Sequence, residues 1–215
     1  MRNRLHPVLL SVLTAALCLP AAANTILFDF DSGSPPLSTG MGLPLSQTAG
    51  GATATFTGRF SVQSHDTTFY NLPNFSGNYL DPSDVYSPPL TVSFDRVLIG
   101  LSFDFATADF GLDTNTTLQL TAYLNSTFNP AVGSTTSQAV GEGWGLGTLT
   151  FQSNAAFNLV EVVILPGAGS DFLADNFQAT TFSDGGGTIP EPATAAYLGL
   201  GFVALAGLAR RRKWL

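Results

Sequence analysis

Apolar and polar residues alternate with a period of two along residues 24–182, and no long stretch repeats with the 3.6-residue period of a helix. From Thr53 to Ser64 the alternation puts Ala54, Phe56, Phe60 and Val62 on one face. Thr53, Thr55, Thr57, Arg59, Ser61 and Gln63 fall on the other. Inward sets of the same kind are Ile26, Phe28 and Phe30; Leu90, Val92 and Phe94; and Val97, Ile99, Leu101, Phe103 and Phe105. Leu118, Leu120, Ala122 and Leu124 form another, followed by Leu149 with Phe151, by Val160, Val162 and Ile164, and by Phe172 to Phe182. About eight strands parted by Gly, Pro and Asn turns predict an all-β domain, a two-sheet sandwich of jelly-roll type. The segment Thr67–Pro89 breaks the alternation with Pro82, Pro88 and Pro89, and is expected as a long loop carrying Phe69, Tyr70, Phe75, Tyr79 and Tyr86.

The ends of the chain differ from this body. Arg2 and Arg4 precede an apolar stretch from Val8 to Leu19, and Pro20-Ala21-Ala22-Ala23 supplies small residues for a cut. That order reads as a secretory signal peptide over residues 1–23, with Asn24 as the mature start. It is too short to span a bilayer, which takes roughly 20 apolar residues. At the other end, residues 183–188 form a Gly-rich linker. Ala193 to Ala209 then runs uncharged to Arg210-Arg211-Arg212-Lys213, a minimal transmembrane helix whose basic stop holds the C-terminus in the cytoplasm.

Charge sharpens the division. Between Asn24 and Ile189 only Arg59 and Arg96 are basic, against fourteen acids, so this part carries 2 − 14 = −12. A surface that displaces counterions from phosphates needs clustered cations, so nucleic acid is excluded as a partner. Cys18, the one cysteine of the chain, lies in the signal, leaving the mature body without a thiol or a disulfide. At its length such a body buries enough apolar surface to do without one.

Pro190-Glu191-Pro192, the short Gly/Leu/Ala helix and the terminal arginines together resemble the PEP-CTERM sorting signal of Gram-negative bacteria. The resemblance implies a tail, residues 189–215, that holds the exported protein in the inner membrane until exosortase, a membrane-embedded cysteine protease, removes it. Pro190, Glu191 and Pro192 are then recognition residues, with Arg210, Arg211 and Arg212 as the stop. It further implies release to the cell surface or matrix, often alongside exopolysaccharide. This chain is on that reading the substrate of processing.

The body itself offers little catalytic chemistry. It has one His, His65, no Cys and no Lys, and no Gly-x-Ser-x-Gly elbow accompanies a serine. Glu142 and Glu161 are its only glutamates, and Glu161 lies in an apolar strand, which argues against a pair of glycosidase carboxylates. A non-enzymatic protein is expected. Hard oxygens abound instead, and a structural Ca2+ is the metal they suit. Asp29 and Asp31 share a face of the first strand, and Asp175 and Asn176 lie in the last. Jelly rolls commonly bring those strands together. Asp29-Phe30-Asp31-Ser32-Gly33 and Phe172-Leu173-Ala174-Asp175-Asn176 also resemble the edge strands of calcium-stabilised carbohydrate-binding modules. Asp31 stands where those have Glu, and Asn176 where a second Asp is common. Asp109, Asp113 and Asn115 form a further oxygen cluster that reads as turn chemistry. Trp144, set among glycines, together with Tyr79 and Tyr86, offers aromatic faces on which a sugar would stack.

Three functions follow. The first is a surface or matrix protein associated with exopolysaccharide, the second a carbohydrate-binding module, and the third a glycan-cleaving enzyme using Asp pairs.

Overall fold

The computed structural model describes residues 23–64, 72–82, 89–108, 116–141, 144–165 and 171–182. The expected signal peptide up to residue 22, the linker, the transmembrane run, Pro190, Glu191, Pro192, the terminal arginines, Tyr86, His65, Asp109, Asp113 and Asn115 lie outside them. Ten strands and no helix make up the described residues: β1 (Ala23–Phe28), β2 (Leu45–Ala49), β3 (Ala52–Thr57), β4 (Phe60–Ser64), β5 (Asn78–Pro82), β6 (Leu90–Ala108), β7 (Thr117–Tyr123), β8 (Gly133–Gln138), β9 (Trp144–Ile164) and β10 (Asp171–Phe182). Every pairing is antiparallel.

Two long strands organise the rest. The first part of β6 pairs with β3 and with the second part of β9, which continues to β7 and β8. Its second part pairs with the first part of β9 and with β10, which in turn holds β1 and β5. Between the two parts the β6–β9 register shifts twice, around Leu98. These shifts overturn one expectation from strict alternation. Val97 is 43% exposed while Leu98 is fully buried, because the extra residues turn β6 over before Leu101, Phe103 and Phe105 point inward. Leu124, one residue past β7, is likewise exposed rather than inward.

Other boundaries also move. Thr53–Ser64 divides into β3 and β4 at Gly58, whose φ is +142° and where a Cβ would come within 2.9 Å of the Pro89 carbonyl oxygen, which excludes a side chain. Ala54, Phe56, Phe60 and Val62 are all buried as the alternation requires. The expected loop Thr67–Pro89 contains β5, and Leu72, Phe75, Tyr79 and Leu80 within it are buried. The strands β2 and β8, rich in Ser, Thr and Gln, lack an apolar alternation strong enough to be foreseen.

The core is phenylalanine-rich. Phe28, Phe30, Phe56, Phe60, Phe103, Phe105, Phe157, Phe172 and Phe177 are fully buried. Phe177 of β10 stacks on Phe103 at 4.7 Å and meets Phe56 of β3 edge-on at 5.2 Å, while Phe30 reaches Phe56 at 5.0 Å. Burying one such ring is worth about 1.5–3 kcal/mol, so this cluster supplies the stability that no disulfide provides.

Candidate functional site

The first and last strands do lie side by side: β1 pairs with β10 from Ala23 opposite Phe182 to Phe28 opposite Phe177. Phe28 and Phe177 turn inward, and the chain beyond each carries the acidic groups. On the outer face of β10 and β6, Asp175 stands opposite Asp104 in register. The segment Leu72–Asn78 lies across this face. Its Leu72, Phe75 and Tyr79 form a second apolar cluster with Ala106 and Leu173, and Trp144 and Leu146 pack against it.

Asp175 is fully buried under that cover. Its Oδ1 accepts the backbone N–H of Asn176 at 2.7 Å and its Oδ2 that of Ser76 at 3.3 Å. Desolvation pushes its carboxyl up from 3.8 to about 8. The two N–H groups oppose that rise, and the charges of Asp31 and Asp104 add to it. Asp31 accepts the backbone N–H of Asn78 at 2.8 Å and lies against the α-carbon of Gly77, where any side chain would collide with it. The Asn176 side chain donates to the Asn74 carbonyl at 2.8 Å and to Asp104 at 3.3 Å. Asp104 also accepts the Thr148 hydroxyl at 2.7 Å. Phe30 and Asn176 have left-handed backbones (φ 60° and 55°), a strain most marked at Phe30, while Gly77 (φ 65°) takes the same region without cost.

The structure thus brings Asp31, Asp175 and Asn176 together and adds Asp104, which the sequence reading did not include. Asp104 carried only one signal, its place on the polar side of an otherwise apolar strand. Asp29 does not join them. Its Oδ1 is engaged by the N–H groups of Asp31 and Ser32 and by the Ser32 hydroxyl, closing its own turn. Calcium's oxygen chemistry suits these donors. Their placement does not: among the described residues no three His, Cys, Asp or Glu side chains are grouped to hold a metal ion. A second acidic pair lies nearby, where burial and the charge of Asp171 push Asp81 up to about 6.

Of the expected sugar-stacking aromatics, Tyr79 is 4% exposed and meets Phe75 edge-on at 5.7 Å, so its ring face is not presented to solvent. Trp144 is half-buried against the same cluster. Among the described residues no helix is long and apolar enough to cross a membrane.

Residues 188–213 match the family described as the PEP-CTERM protein-sorting motif. No curated protein matches the chain. Among solved structures it is similar to the K1 cleaved adhesin domain of Lys-gingipain from Porphyromonas gingivalis W83, with 12% identity and a TM-score of 0.43, covering 74% of this chain and 98% of that one. It is also similar to TmCBM27, a mannan-recognising carbohydrate-binding module, with 12% identity, a TM-score of 0.38, and coverage of 75% and 99%. The CBM22-1–GH10 modules of Clostridium thermocellum xylanase 10B match at 13% identity and a TM-score of 0.37, over 61% of this chain and 26% of that one. These are distant likenesses.

Proposed function

From the PEP-CTERM protein-sorting motif that this chain carries at residues 188–213, we propose an exported, non-enzymatic surface or extracellular-matrix protein processed by exosortase and associated with exopolysaccharide. Residues 1–23 act as signal peptide, 24–182 as the displayed body and 183–188 as linker. Ala193–Ala209 spans the inner membrane until cleavage next to Pro190-Glu191-Pro192, with Arg210, Arg211 and Arg212 on the cytoplasmic side. In this reading the body is a jelly-roll-like sandwich, its two faces being the two sets of strands that β6 and β9 join. The motif carries the proposal, because it is a processing address placed after a folded β body.

Intact mass tests it. Protein from the cell surface or culture medium should begin at Asn24 and end near Pro190, and Pro190→Ala/Glu191→Ala/Pro192→Ala should accumulate uncut in the inner membrane. Surface protein that retains Leu215 would overturn processing.

A second reading, a carbohydrate-binding module, rests on the half-buried Trp144, whose remaining ring surface borders an apolar cluster. Saturable binding on a glycan array that falls at least roughly tenfold in Trp144→Ala, about the loss of one good stacking contact, would support it. The array should be read beside a thermal melt, because the ring also packs. No binding to any glycan would remove this reading.

A further inference from the structure

Three of the six large apolar side chains exposed among the described residues, Val97, Leu124 and Phe128, lie toward one end of the body, the end from which the chain leaves. Thr181 stands opposite Leu98, and Leu98 opposite Phe157. Asn158, the next residue, exchanges two hydrogen bonds with Asn125 at 2.7 and 3.1 Å. Ala23 pairs with Phe182 at the same level. Around this ring of contacts lie Val97, Leu124 (38% exposed) and Phe128, which is 98% exposed.

The loop that carries Phe128 is braced. Asn129 donates to the Leu124 carbonyl at 2.6 Å, and the Ser126 hydroxyl accepts the Phe128 N–H at 3.1 Å. Val132 returns a backbone bond to Ala122 at 2.8 Å. Phe128 on this braced loop is almost wholly exposed, with Leu124 exposed at the loop's start, so the loop holds two apolar side chains toward solvent.

Charge agrees with its position. Among the described residues the acid at this end is Asp95, which lies 3.7 Å from Arg96. Arg96 also donates to the Gly51 carbonyl, in the turn between β2 and β3. Glu161 lies on β9 three residues from Asn158, opposite Thr121, while Asp29 and Asp31 follow the far end of β1 and Asp81, Asp104, Asp171 and Asp175 lie toward the middle or the opposite end of their strands. Among the described residues the acids are thus sparser at this end than around Asp175.

Residues 183–192 separate Phe182 from the apolar run that starts at Ala193. Ten residues reach at most about 35 Å and on average about 18 Å. The exit end is therefore held near the bilayer for as long as the tail is inserted. We infer that this end is a membrane-facing surface, with Phe128 and Leu124 dipping into the lipid interface before the tail is cut. The lipid surface is favoured over a protein partner by the short tether. The inference rests on the proposal that Ala193–Ala209 is a membrane span.

The test uses the full chain with Cys18→Ser, in vesicles of phosphatidylethanolamine and phosphatidylglycerol. An environment-sensitive fluorophore is attached through Phe128→Cys, or through Val140→Cys as control, since Val140 is 68% exposed at the opposite end beside Leu146. The label at 128 should shift to the blue and be quenched by doxyl-labelled lipid several-fold more than the label at 140. Protein that floats with the vesicles while both labels behave alike would overturn the inference and leave the anchor standing. A label at 128 that is shielded from water but not quenched by lipid would point to a second copy, and would also overturn it. Protein that fails to float would remove the anchor itself, and this surface with it.

Discussion

Asp175 is an acid that the fold makes easier to keep neutral than to ionise. Its carboxyl titrates near 8 in the folded chain and near 3.8 once exposed. The folded state therefore binds the proton more tightly. Below about pH 4 the group is neutral in both states and costs nothing; stability then declines as pH rises toward 8, where the penalty is complete. Asp81, raised to about 6, adds a decline of the same sign over a narrower window. Asp175→Asn keeps the shape and removes the charge. It should raise the melting temperature at pH 8 more than at pH 5 and flatten the dependence between them. An unchanged slope in the variant would place the titration elsewhere.

At the scale of elements, the register shifts of β6 decide which neighbouring residue matters. Leu98→Ala should cost about 2–5 kcal/mol, as a buried leucine does. Val97→Ala should stay within about 0.5 kcal/mol, as exposed substitutions do. Denaturant titration of the two variants checks the ordering, and equal losses would contradict the bulge. The same strand shows how far the chain could be read. Period-two alternation located Leu90, Val92 and Phe94, and again Leu101, Phe103 and Phe105, because each set faces one core. It failed at Val97 because a bulge inserts residues that no local pattern announces. It missed β5 because Asn78–Pro82 sits among prolines and turns, and is a strand only through its pairing with β4 and β10. The acids followed the same rule. Pairing of β1 with β10 was legible from the expected fold type, and with it the approach of Asp31 to Asp175. Asp104 became their neighbour through the β6–β10 register, a long-range fact. Asp29 was lost to a local turn that competes for its oxygens.

For the whole molecule, burial alone must hold the body, since its single cysteine lies in the expected signal peptide. The expected mature start at Asn24 and the exit at Phe182 lie side by side on adjacent strands. Removal of the signal and cleavage of the tail would thus both act at one edge of the body, leaving the acidic face under Leu72–Asn78 apart from either cut. That separation explains how a chain could be trimmed twice without disturbing its core.

The position of β10 has a mechanical consequence. It is the final strand, yet it runs between β6 on one side and β1 and β5 on the other. Tension drawn through the residues after Phe182 pulls along its axis, so neighbouring ladders must slide together instead of opening one bond at a time. Under the proposed anchoring, a body pulled through β10 in this way would resist being peeled open strand by strand.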